Sequence, residues 1–275
     1  MKRHSALTPQ RIIQWIADGR GQGRGLSYQP WFNVQEMSSH GVSHRVKGQC
    51  VPRIYHFVST LERDYFYGLE LHHATSNATE ILDIREQVAL LPHDKTLALA
   101  EAHNIKHPQI PKTKQPIVMT TDFVITYKVG YDEVDVARSI KPSKDLTSKR
   151  TLEKLELERQ YWRERDVDWG IVTEREMNSD FIHNARLLRP YHELDILLGG
   201  HDLDLIRQSL QYAIWESSRP LNATCLTMDR QLGLEPGTSL SIVYHALAND
   251  LWHVDLQHAI RPTQPLRLLS IKEQV

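Results

Sequence analysis

The sequence predicts an α/β protein of two domains, in which a first part built on a mixed sheet is followed by a mostly helical second part. The chain has 275 residues, which fits two domains better than one. Hydrophobic residues make up 40% of it and charged residues 24%, a composition typical of folded globular proteins. Strand and helix patterns alternate until about residue 175 and helix patterns dominate afterwards. We therefore expect domains at residues 1–175 and 176–275.

The chain opens with a helix and a glycine-rich segment. Thr8 supplies a capping hydroxyl before a proline, and Gly19 ends the apolar repeat that follows. Glycines then alternate with other residues up to Gly25, and Arg20 and Arg24 lie among them. Such a segment either brings the backbone close to another group or forms a flexible linker. Both interpretations stay open.

The next elements follow from apolar periodicity and from prolines. Residues 59–73 predict a helix and residues 81–88 predict a strand. Residues 93–116 contain several prolines and no clear period, which predicts a loop. Residues 118–128 and 134–141 alternate apolar and polar side chains and predict two strands joined by a turn.

The turn between these strands sets which residues face each other. If the hairpin is centred near Gly130, Asp122 lies opposite Ser139 or Ile140. Lys141 shares a face with Ser139 because strand side chains repeat every two residues. The spacing therefore predicts that Asp122 and Lys141 lie within one cross-strand diagonal of each other.

A helix and a short strand complete the first part. Residues 151–165 have the apolar repeat of a helix, and Glu158 falls within the apolar stripe that Leu155 and Trp162 define. Residues 169–173 then predict a short buried strand. Strand, strand, helix and strand in this order predict an α/β arrangement with a mixed sheet.

The second part predicts three helices and a hairpin. The helices cover residues 203–215, 221–232 and 239–252. The apolar runs at residues 254–260 and 266–271 are separated by prolines and predict two paired strands. Three helices with a terminal hairpin are the pattern of a winged-helix domain.

Four side chains of the first part carry the chemistry of metal-dependent phosphodiester hydrolysis: Glu62, Asp122, Lys141 and Glu158. Carboxylates hold a hard divalent cation, and a lysine beside them stabilises charge on a phosphate. Each one also has an ordinary structural interpretation. These are a capping box for Glu62, a solvated face for Asp122, a strand end for Lys141 and a surface ion pair with Lys154 or Arg163 for Glu158.

Charge is unevenly distributed along the chain. The net charge is −1, but residues 1–50 carry a balance of +5 and residues 201–275 a balance of −2. A basic N-terminal segment favours contact with DNA phosphates, and an acidic C-terminal segment favours contact with a protein partner. The residues we expect to contact DNA phosphates without reading sequence are Arg20, Arg24, Arg45 and Lys47.

The cysteines and the apolar runs indicate the compartment in which the protein is located. Cys50 and Cys225 have no spacing typical of a zinc site or a disulfide framework, which predicts a cytoplasmic protein. No apolar run approaches the ~20 residues that a membrane-spanning helix needs, so we expect no membrane partner.

Several stretches of the sequence resemble the TnsA family, the endonuclease subunits of heteromeric bacterial cut-and-paste transposases. The resemblance is close from about residue 10 to about residue 176 and weaker beyond. The stretches that carry it include LDIREQ at 82–87, TTDF at 120–123, IKP at 140–142 and RTLEKLELER at 150–159. These strings are long and specific, so chance is a poor explanation for them.

The resemblance implies a fold, an activity and partners. It implies a restriction-endonuclease-like first domain and a winged-helix second domain. It implies a Mg²⁺-dependent nuclease, with Mn²⁺ as a substitute, that cuts the 5′ ends of a transposon in double-stranded donor DNA. A TnsB-like transposase would act on the 3′ ends, and a TnsC-like ATPase would regulate the assembly.

The resemblance also implies roles for single residues. The catalytic residues it implies are Glu62, Asp122, Lys141 and Glu158. The metal ligands would be Glu62, Asp122 and the main-chain carbonyl of Ile140. Ser139 stands where the family has glutamine and where many restriction enzymes have an acid. A hydroxyl is a poorer ligand than a carboxylate, so the number of metal ions stays open.

Two other functions are compatible with the sequence. One is a stand-alone restriction or repair nuclease, which the neighbouring genes would distinguish from a transposon enzyme. The other is a catalytically silent DNA-binding scaffold that recruits transposition partners, and Ser139 gives it some support. The transposon end sequence, the cleavage offset, the target-selection route and the oligomeric state do not follow from the sequence.

Overall fold

The computed structural model describes residues 8–36, 42–76, 80–110, 113–194 and 202–271. The chain divides into two compact units, one of Met1–Tyr65 with Asn77–Met177 and the other of Phe66–Ser76 with Asn178–Val275. Up to residue 177 its helices and strands are α1 (Pro9–Ala17), β1 (His44–Lys47), β2 (Ile54–Phe57), α2 (Thr60–Thr75), β3 (Glu80–Ala89), α3 (His93–Ala102), β4 (Thr120–Val129), β5 (Asp132–Ile140), α4 (Lys149–Arg163) and β6 (Asp168–Val172).

The first unit is built on a four-stranded mixed sheet in the order β3-β4-β5-β6. The first three strands are antiparallel, and β6 runs parallel to β5. Gly130 has a φ of 64°, which allows the tight turn between β4 and β5, where Val129 pairs with Asp132. The predicted mixed sheet and the predicted centre of the hairpin are therefore confirmed.

A hydrophobic core packs α3 and α4 against this sheet. Val124 and Ala137 from the sheet are buried with Leu99 of α3 and with Leu157 and Trp162 of α4. Because these side chains come from elements far apart in sequence, the core fixes where α4 lies on the sheet. It thereby also sets the position of the polar residues that α4 carries.

The glycine-rich segment packs against the sheet and is not a flexible linker. Gly21 has a φ of 69°, and a Cβ added there would lie 2.5 Å from the Cβ of Ala89 in β3. The Gly21 amide donates to the Gln29 carbonyl at 2.6 Å. Of the two interpretations left open, close approach of the backbone to another group is the one that the structure supports, and that group is β3.

Two predictions for the first unit are wrong. The loop expected at residues 93–116 contains α3, which buries Thr96, Leu99 and Ala100 at positions i, i+3 and i+4. Only Leu99 is strongly hydrophobic, so the apolar repeat is weak in the sequence. The strand β6, expected to be buried, is half exposed because it lies at the edge of the sheet.

The second unit contains helices packed around their own core. From residue 178 onward its elements are α5 (Ser179–Leu188), α6 (Leu203–Trp215), α7 (Leu221–Leu232), α8 (Thr238–Ala248), β7 (Trp252–His253) and β8 (Ser270–Ile271). The three predicted helices correspond to α6, α7 and α8. Their core includes Leu210, Cys225 and Ile242, all less than 2% exposed.

The predicted terminal hairpin is largely wrong. The paired strands β7 and β8 are two residues each, and regular strand is absent between them in the described chain. The buried Asn184 of α5 accounts for the difference: its amide donates to the carbonyls of Leu256 and His258, and its oxygen accepts the amide of Ile260. The Asn184 side chain thus makes the hydrogen bonds to the main chain that a paired strand would otherwise make. The winged-helix fold of the second unit stays a prediction.

None of the helices in the described segments is long and apolar enough to cross a membrane.

Candidate active site

The Asp122 side chain, near the start of β4, is hydrogen-bonded to residues at the end of β5. Phe123 pairs with Arg138, so Asp122 lies directly across from Ser139. The Asp122 Oδ2 atom accepts a hydrogen bond from the Ile140 amide at 2.7 Å and a short one from Lys141 Nζ. Lys141 Nζ also donates to the Ile140 carbonyl at 3.1 Å. The cross-strand proximity of Asp122 and Lys141 expected from the spacing is present in the structure.

Glu62 lies in the first turn of α2 and is held by its own cap. The Ser59 hydroxyl accepts from the Glu62 amide at 3.1 Å and donates to Glu62 Oε1 at 3.0 Å. The Val58 amide donates to Oε2 at 3.1 Å. Burial, followed by the negative charge of Asp122, raises the pKa of Glu62 to about 7. Glu62 is thus both a capping residue and a buried carboxylate close enough to Asp122 to interact with its charge.

Glu158 is the second buried carboxylate near Asp122. It is 5% exposed on α4 and accepts hydrogen bonds from the Ser139 hydroxyl and from Trp169 Nε1, the latter at 3.2 Å. Burial and then the Asp122 charge raise its pKa. The surface ion pair considered for Glu158 is wrong, because its carboxylate lies inside the first unit.

Lys141 partly balances these negative charges. Burial alone would lower the pKa of Lys141, but the charges of Asp122 and Glu158 outweigh it and raise the pKa to about 12. The ammonium is therefore charged near neutral pH. The acids around it outnumber it, and a divalent cation bound beside them would favour the ionised forms of Glu62 and Glu158, whose pKa values are raised without one.

The donor atoms of this cluster fit a divalent cation, although they do not enclose one. In the described ranges, no three His, Cys, Asp or Glu side chains form a ready-made metal cage. The Asp122 carboxylate, the Ile140 carbonyl and Glu62 offer only oxygen ligands, and Mg²⁺ takes few protein ligands and keeps several waters. The Lys141 ammonium already contacts the first two of these oxygens, which shows that they attract a cation.

Two of the four predicted DNA contacts are engaged with acids. Arg20 makes a two-pronged ion pair with Glu36, at 2.7 and 2.9 Å, and lies 4.1 Å above the centroid of the Trp15 ring. Arg24 pairs with Glu133 at 2.7 Å, and both side chains are about half exposed. Their charges are therefore compensated within the chain.

The other two lie together on one strand. Arg45 and Lys47 are exposed on β1, and Val46 between them is buried. Since successive side chains of a strand alternate, the two basic residues share its outer face. The structure thus brings Arg45 and Lys47 to one surface.

Comparison with known proteins identifies the family of this chain. Residues 78–174 match the model of the TnsA-like endonuclease N-terminal family, and residues 176–256 match the model of the TnsA endonuclease C-terminal family. The transposon Tn7 transposition protein TnsA of Escherichia coli is 43% identical over 263 residues, which cover 94% of this chain and 91% of that protein. This chain belongs to the TnsA endonuclease family.

Membership in the TnsA family makes the chain a DNA endonuclease and gives the cluster a context. The matched TnsA N-terminal region contains Asp122, Lys141 and Glu158, and Glu62 lies before it. The mixed sheet with flanking helices fits the restriction-endonuclease-like fold implied by the resemblance to TnsA.

Sequence reasoning missed some of the side chains that contact the cluster. Trp169 donates to Glu158, and the Gln87 amide Nε2 lies 3.4 Å from Glu62 Oε2. Gln87 ends the LDIREQ string that carries part of the TnsA resemblance, but nothing in the string indicates that its side chain points at Glu62. Trp169 had no signal beyond its place in a short strand.

Proposed function

We propose that this TnsA-like endonuclease cuts the 5′ ends of a transposon in double-stranded donor DNA by hydrolysis of a phosphodiester bond. A TnsB-like transposase acts on the 3′ ends in this proposal, and a TnsC-like ATPase regulates the assembly. The observation that carries it is the contact of the Asp122 carboxylate with the Ile140 amide and the Lys141 ammonium, beside two further buried acids.

Glu62, Asp122 and the Ile140 carbonyl would hold the metal ion, which we propose to be Mg²⁺ with Mn²⁺ as a substitute. When bound, a divalent cation polarises a phosphate oxygen and lowers the pKa of a water molecule. Lys141 stabilises the charge that develops on the phosphate oxygens or orients the attacking water. Glu158 keeps Lys141 in place through its charge. The products would be a 3′ hydroxyl and a 5′ phosphate.

Ser139 holds Glu158 and is not a metal ligand in this proposal. Its hydroxyl donates to the Glu158 carboxylate, which also accepts from Trp169. A hydroxyl is a weak ligand for a hard cation. The serine therefore serves the buried acid next to Lys141, and its presence does not argue for a silent scaffold.

The remaining parts of the proposal concern DNA, the second unit and location. Arg45 and Lys47 contact phosphates through the outer face of β1. Arg20 and Arg24 contact phosphates after they leave Glu36 and Glu133. The second unit is a winged-helix-like domain that contacts protein partners, which the excess of acidic residues in positions 201–275 favours. The enzyme works in the cytoplasm.

The family comparison favours this function over the two alternatives. A stand-alone restriction or repair nuclease is disfavoured because the relative with 43% identity is a transposition protein. A catalytically silent scaffold is disfavoured because both matched families are endonuclease families.

The proposal is tested by reconstituted cleavage of transposon-end DNA with the partner transposase and Mg²⁺. Lys141→Ala should lower the cleavage rate by about 10²–10³-fold, since one charge-stabilising group of an active site contributes this much. Lys144→Ala, an exposed lysine nearby, is the matched control and should cleave normally. Circular dichroism would verify that both variants fold. A Lys141→Ala variant that cuts at the normal rate would refute the assignment.

A further inference from the structure

Gln87 lies in β3 in a backbone conformation that residues other than glycine rarely adopt. Its φ is 52°, and the residue is 2% exposed. The left-handed conformation is unfavourable for an L-residue because it puts the Cβ atom too close to the following carbonyl oxygen. Outliers of this kind persist where the surroundings enforce them, and they cluster at functional sites.

The surroundings of Gln87 direct it toward the active site. Glu86 pairs with Phe123 and Val88 pairs with Thr121, which puts Gln87 directly across from Asp122 on the neighbouring strand. The Gln87 carbonyl accepts a hydrogen bond from the buried Trp31 amide at 3.1 Å, so the main chain is held by the N-terminal segment.

The Gln87 side chain completes the hydrogen bonds of Glu62. The Glu62 carboxylate accepts hydrogen bonds from the Val58 amide and the Ser59 hydroxyl, which lie just before its own helix. The Gln87 Nε2 atom donates to Glu62 Oε2 from the sheet, at 3.4 Å. Gln87 therefore links Glu62 to the strand pair that carries Asp122.

A neutral amide suits this position better than a charged side chain. A carboxylate would add a further negative charge to the cluster, and an ammonium would compete with a cation for the Glu62 oxygens. We propose that Gln87 is a positioning residue, which orients the Glu62 carboxylate toward Asp122 so that the two can bind one divalent cation. This inference rests on the proposed function.

A positioning role and a purely structural role predict different results for Gln87→Gly. Glycine adopts the left-handed conformation without strain, so this substitution removes the amide and relieves the backbone. If Gln87 only maintains the fold, the variant binds cations like the wild type. If Gln87 orients Glu62, the variant loses cation affinity at a temperature at which circular dichroism shows it to be fully folded.

The experiment uses the full chain and Mn²⁺ alone, titrated by calorimetry. Gln87→Gly should bind Mn²⁺ about 10–100-fold more weakly, the usual effect of removing a group that orients a metal ligand. Asn104→Gly is the matched control, because Asn104 has the same φ of 52° but is exposed and lies after α3. It should bind Mn²⁺ as the wild type does.

A second readout separates cation use from DNA binding. In reconstituted cleavage, Gln87→Gly should need about 10–100-fold more Mn²⁺ for half-maximal rate, while the KM for DNA stays unchanged. If Gln87→Gly does not fold, Gln87→Asn gives the same test. Asparagine tolerates the left-handed conformation, but its amide is one methylene too short to reach Glu62.

The outcomes distinguish this inference from the function on which it rests. Wild-type Mn²⁺ affinity in Gln87→Gly or Gln87→Asn would overturn the positioning role, provided that Asp122→Ala loses binding. Unchanged Mn²⁺ binding in Asp122→Ala would overturn the proposed metal site itself.

Discussion

Arg53→Met removes the positive charge from a buried ion pair in the first unit. Arg53 donates to both carboxylate oxygens of Glu86, at 3.0 and 2.5 Å, and their side chains are 8% and 0% exposed. The guanidinium also donates to the Ile84 carbonyl at 2.8 Å and lies 3.7 Å from the centroid of the Tyr55 ring. Methionine keeps much of the side-chain volume but leaves the Glu86 charge buried without its partner.

The expected loss is a large part of the stability of the unit. Removing one partner of a buried pair costs about 3–5 kcal/mol, compared with a total of about 5–15 kcal/mol for unfolding. Arg24→Met is the matched control, because the Arg24–Glu133 pair is 52% and 53% exposed. Exposed pairs contribute about 0.2–1 kcal/mol, so the control should lose much less.

The loss should also depend on pH, with a definite sign. Burial raises the pKa of Glu86 even with Arg53 present, and removal of Arg53 raises it further. Between the pKa of Glu86 in the unfolded chain and its higher pKa in the folded variant, the folded state binds a proton that the unfolded state has released. The unfolding free energy of the variant therefore falls as pH rises between these two values. Urea unfolding followed by circular dichroism should show a larger loss at about pH 8 than at about pH 5. Equal losses in the two variants, or a larger loss in acid, would refute the reasoning.

Three further predictions concern other parts of the chain. The Gly21→Ala variant should lose about 3 kcal/mol or more of its unfolding free energy in urea, because the added Cβ would clash with Ala89. The Gly19→Ala variant should lose only about 1–2 kcal/mol, from backbone strain without a clash. Equal losses in the two variants would contradict the packing account. Asp229→Ala should lower the unfolding free energy by about 2 kcal/mol, because the buried Asp229 carboxylate accepts hydrogen bonds from two main-chain amides at the start of α8. An unchanged melting curve would contradict this prediction. Neutralising Arg45 and Lys47 should make the slope of log K against log salt shallower by about 2 in DNA-binding titrations, and an unchanged slope would remove both residues from the interface.

The strand pair that carries the proposed active site could be predicted because its signals are local. Alternating apolar residues define β4 and β5, and Gly130 marks the turn, so the positions of Asp122 and Lys141 follow by counting. Glu158 could be placed on the inner face of α4 because the surrounding residues repeat with a helical period. Each inference depends on neighbours within one or two elements.

Features that depend on distant residues could not be predicted. The α3 helix is stabilised by packing against α4, and its own apolar stripe contains the weakly hydrophobic Thr96. The terminal segment depends on Asn184, more than 70 residues earlier in the chain. The Gln87 carbonyl accepts a hydrogen bond from the Trp31 amide, a contact that no local pattern connects to β3.

A crystal of the full chain soaked in Mn²⁺ and measured at the manganese absorption edge tests the proposed metal site most directly. We predict an anomalous peak in contact with the Asp122 carboxylate and the Ile140 carbonyl, with the Lys141 ammonium moved off both oxygens. A Mn²⁺ peak elsewhere in the first unit, with Lys141 still hydrogen-bonded to Asp122 and Ile140, would contradict the proposed site.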